Sequence, residues 1–516
     1  MDPIIVEYIN NSIITFTRKQ DWGLVEQVDT KFKHYFYVEN PRGTYTTFDR
    51  KKAIKFSVKK PSKFEELLTK FREKGLETYE ADISPTIRYV IDKFKTPWTK
   101  VPLRICYFDI EVEDCLDYIN TPKPIVSITA YDNFDNKYYT FVLDKENKIY
   151  SIKDGYVLVF DKEESLLNKF LSFINKKNSD LLVAWNVEYD INYLINRMEK
   201  LGIDYNRLSR LNNVVKKDDK IIKVYGRVII DLLKLYRKLK VKTLESYSLE
   251  NVATEECLDI KKLPRVEVSK MDLWSLVAYN KRDVELVVNL DKKLGIIDFW
   301  DELRRFIGLP WNNFINYDFE ISNKKLVDIY LLRLAKEKNI VLPTTKQHKR
   351  KPYHGALVLE QPAGIFKNVV VVDVKSMYPN IIRTYNLSPE TLDPKGKIIT
   401  PIGYRFKKEP IGLIPEACSR LFNLRKQFKE EMKKYLKEGN EEKYKEFNNK
   451  QTAVKIILNS LYGVTAYKNF RLFKQEVAET VTAFGRELLK HIIRTIENQG
   501  FRVLYADTDS ALFKLN

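Results

Sequence analysis

Cysteine is scarce. Four occur in 516 residues, Cys106, Cys115, Cys257 and Cys418, far apart and without a C-x-x-C pair, which excludes a disulfide framework and offers no zinc-ligand spacing. Reduced, buried thiols are expected. Long apolar runs are lacking as well: none approaches the ~20 residues that cross a bilayer, and the opening MDPIIVEYINNSIITF has no basic segment running into a long apolar one. No membrane partner is expected, and the expected location is cytoplasmic. The sequence also has no internal repeat, no low-complexity tract and no G-x-x-x-x-G-K-[ST] loop. Any phosphate group is then expected to be held by side chains and metal, without a glycine-rich cradle.

What is present is length and positive charge. At 516 residues the chain exceeds what one hydrophobic core organises, and ~3 to 4 domains are expected. Its 44% hydrophobic and 31% charged residues describe a globular protein. Lys and Arg number 89 against 70 Asp and Glu, a net charge of +19, the surplus of a protein that holds a polyanion. A lysine-rich genome gives the same surplus, so the placement of the acids matters more than the total. They cluster, as a phosphate-handling enzyme requires: cationic walls hold a strand while local carboxylates hold metal.

Residues 1–100 alternate short strand-like runs (IIVEYI, SIITF, HYFYVEN) with a helical KFEELLTKFREKG stopped by Gly75. From LRICYFDIEVE to the helix DLWSLVAYNKRDVELVVNLDKKLG, strands and helices alternate as in an α/β core. Connecting helices follow, and the basic stretch TTKQHKRKPYHG reads as a linker. NVVVVDV reads as a nearly continuous buried strand. SRLFNLRKQFKEEMKKYLKE and EEKYKEFNNKQTAVKIILNSLYG flank a Gly439-Asn440 turn and predict a helical hairpin.

Asp109 and Glu111 in YFDIEVE stand two apart, so a strand projects both from one face, where they can share metal. Asn186 and Asp190 follow where an apolar strand becomes a helix in AWNVEYDINYL, and Tyr279 and Asp283 lie at i and i+4 on one helix face. Each pair alone reads as readily as solvated surface. A second set begins with Asp373, ending an apolar strand that cannot solvate an ionised carboxylate, so a cation is expected there. Asp507 and Asp509 flank Thr508 at the tip of a tight hairpin, where crowded carboxylates repel unless a divalent cation lies between them. On the arms of the helical hairpin, Arg425 and Lys429 are one turn apart, as are Lys455 and Asn459. Folding about the turn lets the cations of both arms face each other, as a grip on a triphosphate requires.

The first set, in this order within an α/β region, resembles the three exonuclease motifs of the DEDDy 3′–5′ proofreading nucleases. DVKSMYPNI, KQTAVKIILNSLYG and YADTDS resemble motifs A, B and C of family B DNA polymerases, in that family's order. TAFGR, LSPET and PYHGALV are similar to the same family, and YEADISPTIRYVIDK resembles its archaeal members. The resemblance covers essentially the whole chain and implies an α/β and α+β multidomain fold. Its parts would be an N-terminal domain (1–100), an RNase H-like exonuclease domain (101–300), connecting helices (301–350), a palm sheet (351–414 and 471–516) and helical-hairpin fingers (415–470).

The resemblance also implies roles. Asp109, Glu111, Asp190 and Asp283 would bind two divalent cations, Tyr279 would orient the attacking water, and Asn186 would contact DNA. Asp373 and Asp507 would hold two Mg²⁺ ions, or Mn²⁺, with Asp509 in support. Arg425, Lys429 and Lys455 would bind the β and γ phosphates of the incoming nucleotide. Tyr378 would exclude a ribose 2′ hydroxyl, Asn459 and Tyr462 would line the nucleotide pocket, and Tyr353 and Gly355 would touch DNA.

The expected function is therefore DNA-templated DNA synthesis with proofreading by a nucleoid-associated enzyme. Its partners would be primer–template DNA and deoxynucleoside triphosphates (dNTPs), with a sliding clamp as a further candidate. In the family a basic strand and a helical thumb follow motif C, which here lies close to Asn516. The expectation is that the thumb is absent and comes from a second polypeptide, a truncated chain being the alternative. Asn186 and Asp190 are four apart where cellular members have five, a spacing closer to protein-primed relatives. Only roughly two dozen residues separate LSPET from Pro415, which leaves no room for their priming insertion. Two other readings are a chain that acts alone only as a 3′–5′ exonuclease, and an inactive DNA-binding or assembly subunit.

Overall fold

The computed structural model describes residues 1–113, 115–240, 243–260, 263, 267–349, 351–360 and 363–515. The chain divides into two compact units, residues 1–32 with 92–322 and residues 33–91 with 323–516. Three antiparallel strands begin the first unit: β1 (Ile5–Ile9), β2 (Ser12–Arg18) and β3 (Leu24–Asp29). The chain then builds a sheet of the second unit from β4 (His34–Glu39), β5 (Tyr45–Thr47), β6 (Lys52–Val58) and β7 (Thr78–Tyr79), with helix α1 (Pro61–Glu73) between β6 and β7 and α2 (Pro85–Lys93) after them. Proline at the first position starts α1, and Gly75, with a φ of 69°, turns the chain away past its end. Its Phe64 and Leu68 pack on Phe36 and Val38 of β4.

The rest of the first unit is built on a seven-stranded sheet. In chain order come β8 (Ile105–Val112), β9 (Ile125–Asp132), β10 (Lys137–Leu143), β11 (Lys148–Ile152), β12 (Gly155–Phe160), α3 (Glu163–Lys177), β13 (Leu181–Ala184) and α4 (Val187–Lys200). The hairpin β14 (Val214–Lys217) and β15 (Lys220–Val224) precedes β16 (Val228–Asp231), α5 (Leu232–Leu239), α6 (Leu249–Glu255) and α7 (Leu273–Leu294). The spatial order is β11-β12-β10-β9-β8-β13-β16, with β8, β13 and β16 parallel. Helices α3 and α7 pack on β9, which is buried along its whole length. In β8 every residue is buried except Asp109 and Glu111. That is the period-two placement their spacing predicts. Helices α8 (Ile296–Ile307) and α9 (Trp311–Phe314) close the unit, and the Trp311 amide donates to the Ile4 carbonyl at 2.8 Å.

The second unit resumes with α10 (Asn323–Glu337) and β17 (Ile340–Val341), which pairs in parallel with β5. Arg471, 5% exposed, pairs with Asp82 and Asp328 and joins the early and late segments of this unit. Strands β18 (Val358–Leu359) and β19 (Val369–Asp373) are followed by α11 (Met377–Thr384), the pair β20 (Ile398–Ile399) and β21 (Arg405–Phe406), α12 (Leu413–Lys437), α13 (Glu441–Thr465), α14 (Gln475–Asn498), β22 (Arg502–Asp507) and β23 (Ser510–Lys514). Helices α12 and α13 form the predicted hairpin, turned by Gly439 at a φ of 68° and capped by the Asn440 side chain. The late sheet has the order β18-β22-β23-β19, and Leu489, Ile493 and Ile496 of α14 pack on Ala506, Ala511 and Phe513.

Two expectations are corrected. The valine run of β19 is an edge strand: Val369, Val371 and Val372 are exposed, Val371 by 59%, and Val370 is the one that reaches the α14 core. A row of valines reads alike at an edge and in a centre, and only the pairing order distinguishes them. Of the cysteines, Cys106 and Cys418 are buried, but Cys115 is half-buried and Cys257 exposed, both in irregular segments away from the core. Among the described residues no helix is long and apolar enough to cross a membrane.

Candidate functional site

The first unit brings acids together at β8. One ligand oxygen from each of Asp109, Glu111 and Asp283 lies within 4.8 Å of the others. Asp283 arrives on α7, where Tyr279 precedes it by one turn and shares its buried face. Asp190 lies in the first turn of α4, 5% exposed. Burial lifts its carboxyl well above the usual carboxylate range, and the charge of adjacent Asp109 lifts it further. Asp190 thus adjoins the trio without being one of its three members. Asn186 begins α4 in the left-handed region, at a φ of 58°, and its side chain does not cap the helix.

In the second unit the sheet register places the other acids. Ser510 of β23 pairs with Asp507 of β22 on one side and with Asp373 of β19 on the other. Cross-strand partners share a face, so Asp373 and Asp507 project from the same side, two strands or ~10 Å apart at their Cα atoms. Asp509 lies in the turn between β22 and β23, with Thr508 at a φ of 56°. The Asp509 amide donates to the Asp507 carbonyl at 2.6 Å, and its own carbonyl accepts from Val374 at 2.8 Å. Burial raises the Asp509 carboxyl, and the charges of Asp373 and then Asp507 add to it. Among the described residues these three do not close to 4.8 Å as the first trio does. Asp373 is itself exposed, so repulsion within the cluster, and not an apolar strand, is what favours a cation here.

The same unit holds the aromatic and cationic residues. The rings of Tyr378 and Tyr462 meet at 4.3 Å. Gly485 of α14 makes room for the Tyr378 ring, since a Cβ there would stand 2.9 Å from Tyr378 Cε1. Burial and the charges of Asp509 and Asp507 hold the Tyr378 hydroxyl above its ordinary value. Burial holds the Lys429 ammonium below its ordinary value, assisted by the nearby charges of Arg425, Lys375, Lys455 and Lys433. Arg425 Nε is buried with no hydrogen-bond partner among the described residues. Lys455 and Asn459 share the exposed face of α13 that runs on to Tyr462. Arg486 of α14 donates to the carbonyls of His354 and Gly355, both at 2.7 Å, which anchors the segment carrying Tyr353.

Residues 313–516 match the model of DNA polymerase family B, and residues 94–252 match the model of the DNA polymerase family B exonuclease domain. The chain belongs to DNA polymerase family B. It is 30% identical over 459 residues to DNA polymerase 1 of Pyrococcus abyssi (strain GE5 / Orsay), covering 84% of this chain and 56% of that protein. It is 26% identical over 554 residues to the DNA polymerase of Archaeoglobus fulgidus, covering 97% of this chain and 68% of the relative. The solved family B DNA polymerase from Pyrobaculum calidifontis matches all of this chain and 74% of its own, with a TM-score of 0.79 and 27% identity. The chain thus spans little more than half the length of the first of these curated relatives.

Within this family B chain, several neighbours of the acids escaped sequence reasoning. Asn280 is fully buried; its amide nitrogen donates to Asp109 Oδ2 at 2.7 Å while its carbonyl oxygen accepts from Ser127 of β9 at 2.9 Å. The one signal is a polar residue on the buried stripe of α7, four after Leu276 and three before Asp283. Lys375, two residues beyond Asp373, joins the cations around Lys429, and its place beside motif A is the only hint. Both acid clusters offer hard anionic oxygens alone, a donor set that suits Mg²⁺ or Mn²⁺. The first fits best, because three ligand atoms already converge beside a fourth carboxyl whose charged form the site disfavours.

Proposed function

We propose that the chain is a DNA-templated DNA polymerase that adds deoxynucleotides to a primer 3′ end and proofreads with a 3′–5′ exonuclease. The observation that carries this is the group Arg425, Lys429 and Lys455 on α12 and α13, for which no ion pair is found among the described residues, in the unit that also holds Asp373, Asp507 and Asp509. Cations clustered in this way favour a polyanion, and a nucleoside triphosphate supplies one. Arg425, Lys429 and Lys455 grip its β and γ phosphates, with Lys375 at their side. Tyr378, fixed between Tyr462 and Gly485, closes the space a 2′ hydroxyl needs, and Asn459 and Tyr462 line the pocket. Tyr353 and Gly355 touch DNA.

Divalent ions held by Asp373 and Asp507 in one site, and by Asp109, Glu111, Asp190 and Asp283 in the other, would neutralise phosphate charge and activate the attacking oxygen. Asp509 orders the hairpin tip between its neighbours, Asn280 keeps Asp109 oriented, Tyr279 positions water, and Asn186 meets the strand being trimmed. Primer–template DNA and dNTPs are the proposed substrates. A sliding clamp is a proposed partner, read out as salt-resistant extension on its addition. The six-part division into N-terminal domain, exonuclease domain, connecting helices, two palm segments and fingers belongs to the same proposal.

Primer extension and degradation on one labelled duplex test the reading. Asp373→Ala abolishes extension and spares degradation, whereas Asp109→Ala does the reverse; extension surviving in Asp373→Ala overturns the assignment. A second reading, degradation alone, is favoured by one observation: the exonuclease trio is closed to 4.8 Å and the other acids are not. It wins if the chain trims a 3′ end but never extends it at saturating dNTP.

A further inference from the structure

Strand β16 ends in a carboxylate that none of the roles above uses. Asp231 is 1% exposed and pairs in register with Ala184, the last residue of the parallel strand β13. It therefore stands where β13 passes through Trp185 and Asn186 into α4, the helix that carries Asp190. One oxygen, Oδ1, accepts from the Lys234 amide at 3.1 Å and caps α5. The other, Oδ2, is buried with no hydrogen-bond partner among the described residues. Capping does not explain this, since Ser or Asn caps a helix as well as Asp does. An ionised carboxylate with an idle oxygen is costly in an interior, so burial lifts the Asp231 carboxyl above its ordinary range, and a cation nearby would favour its charged form. The register puts Asp231 beside the exonuclease cluster: the Asn186 amide faces its carboxylate, and Asp190, lifted first by burial and by Asp109, also senses Asp231.

We propose that Asp231 is a positioning residue of the exonuclease centre, fixing the Asn186 turn and so Asp190, and placing a negative charge behind that ligand which draws the cation in. Partners of this kind typically change metal affinity or activity by ~10–100-fold when removed. The proposal rests on the exonuclease reading of the first site.

The test is Mn²⁺ binding to the full chain, followed by electron paramagnetic resonance in an Asp373→Ala, Asp507→Ala background so that only the first site is read. Asp231→Asn keeps an acceptor for the cap and removes the charge; it weakens Mn²⁺ binding by about 10-fold or more and raises by a similar factor the Mn²⁺ needed for half-maximal trimming of a single-stranded 3′ end. In the otherwise unaltered chain, Asp231→Asn leaves primer extension as it was. Wild-type Mn²⁺ affinity in Asp231→Asn overturns the proposal even if trimming slows. If Asp231→Asn fails to fold, Asp231→Ser, which retains a cap, is measured in its place and read by the same criterion. A parent chain that binds Mn²⁺ but trims no DNA defeats the exonuclease reading, while the Mn²⁺ shift still decides the role of Asp231.

Discussion

Burial and the Asp109 charge lift the Asp190 carboxyl well above its usual range, so in the metal-free chain this residue binds its proton more tightly folded than unfolded. The sign follows: its folded-state preference favours stability at low pH, and that contribution is lost as pH rises above the unfolded carboxylate range toward the folded value. A bound divalent cation offsets the loss. We expect Asp190→Asn to raise the melting temperature of the chelator-treated chain at pH 8 by about 2–4 °C, the shift that ~1 kcal/mol gives a domain of roughly this size. At pH 4 the difference shrinks. Scanning calorimetry with EDTA checks this, and a lower melting temperature at pH 8 contradicts it. Gly485 offers a second test at this scale. A methyl group there would press on Tyr378 at 2.9 Å, with Met377 Cε at 3.0 Å on the same side. Overpacking of this kind costs about 1–3 kcal/mol, so Gly485→Ala is expected to slow extension by 10-fold or more or to loosen discrimination against ribonucleotides. Degradation should be unaffected, because Tyr378 belongs to the other set of residues.

At the level of elements, helices α12 and α13 carry the positive face of the proposed nucleotide grip. Arg425 and Lys429 stand one turn apart on one arm, and Lys455 lies across from them on the other. A hydrogen bond to a charged partner contributes about 1.5–3 kcal/mol. Lys455→Ala should therefore raise KM for dNTP by roughly 10–100-fold with degradation unchanged; an unaltered KM removes this residue from the grip. The hairpin was legible in sequence because Gly439-Asn440 interrupts two amphipathic stretches, and β8 was legible because period two leaves Asp109 and Glu111 as its two residues that are not buried. The edge position of β19 was not, since four consecutive valines say nothing about which strands flank them. Nor was Asn280, whose contact with Asp109 spans 171 residues of sequence. Local pattern reports which face a residue takes, and only the assembled sheet reports what stands opposite.

Across the whole molecule, 89 basic residues against 70 acidic ones leave a net charge of +19, and the acids at both candidate sites subtract from the positive surface where DNA would lie. Affinity for a primer–template should then come mainly from phosphate contacts made away from the carboxylates. Such contacts release counterions, and log K falls in proportion to log salt with a slope of about −0.9 per phosphate contacted on duplex DNA. If the chain engages ~6–10 phosphates, affinity drops by ~10³–10⁵ between about 50 and 200 mM salt. Fluorescence anisotropy with a labelled primer–template in Ca²⁺, to hold back turnover, measures the slope directly. Removing a single carboxylate, as in Asp373→Ala, should leave that slope unchanged because no phosphate contact is lost. Lys429→Ala should leave it unchanged without dNTP as well, since the role proposed for that lysine is with the triphosphate. A slope near zero would show that basic composition does not translate into DNA binding, and would remove the electrostatic support for a strand-holding surface in this chain.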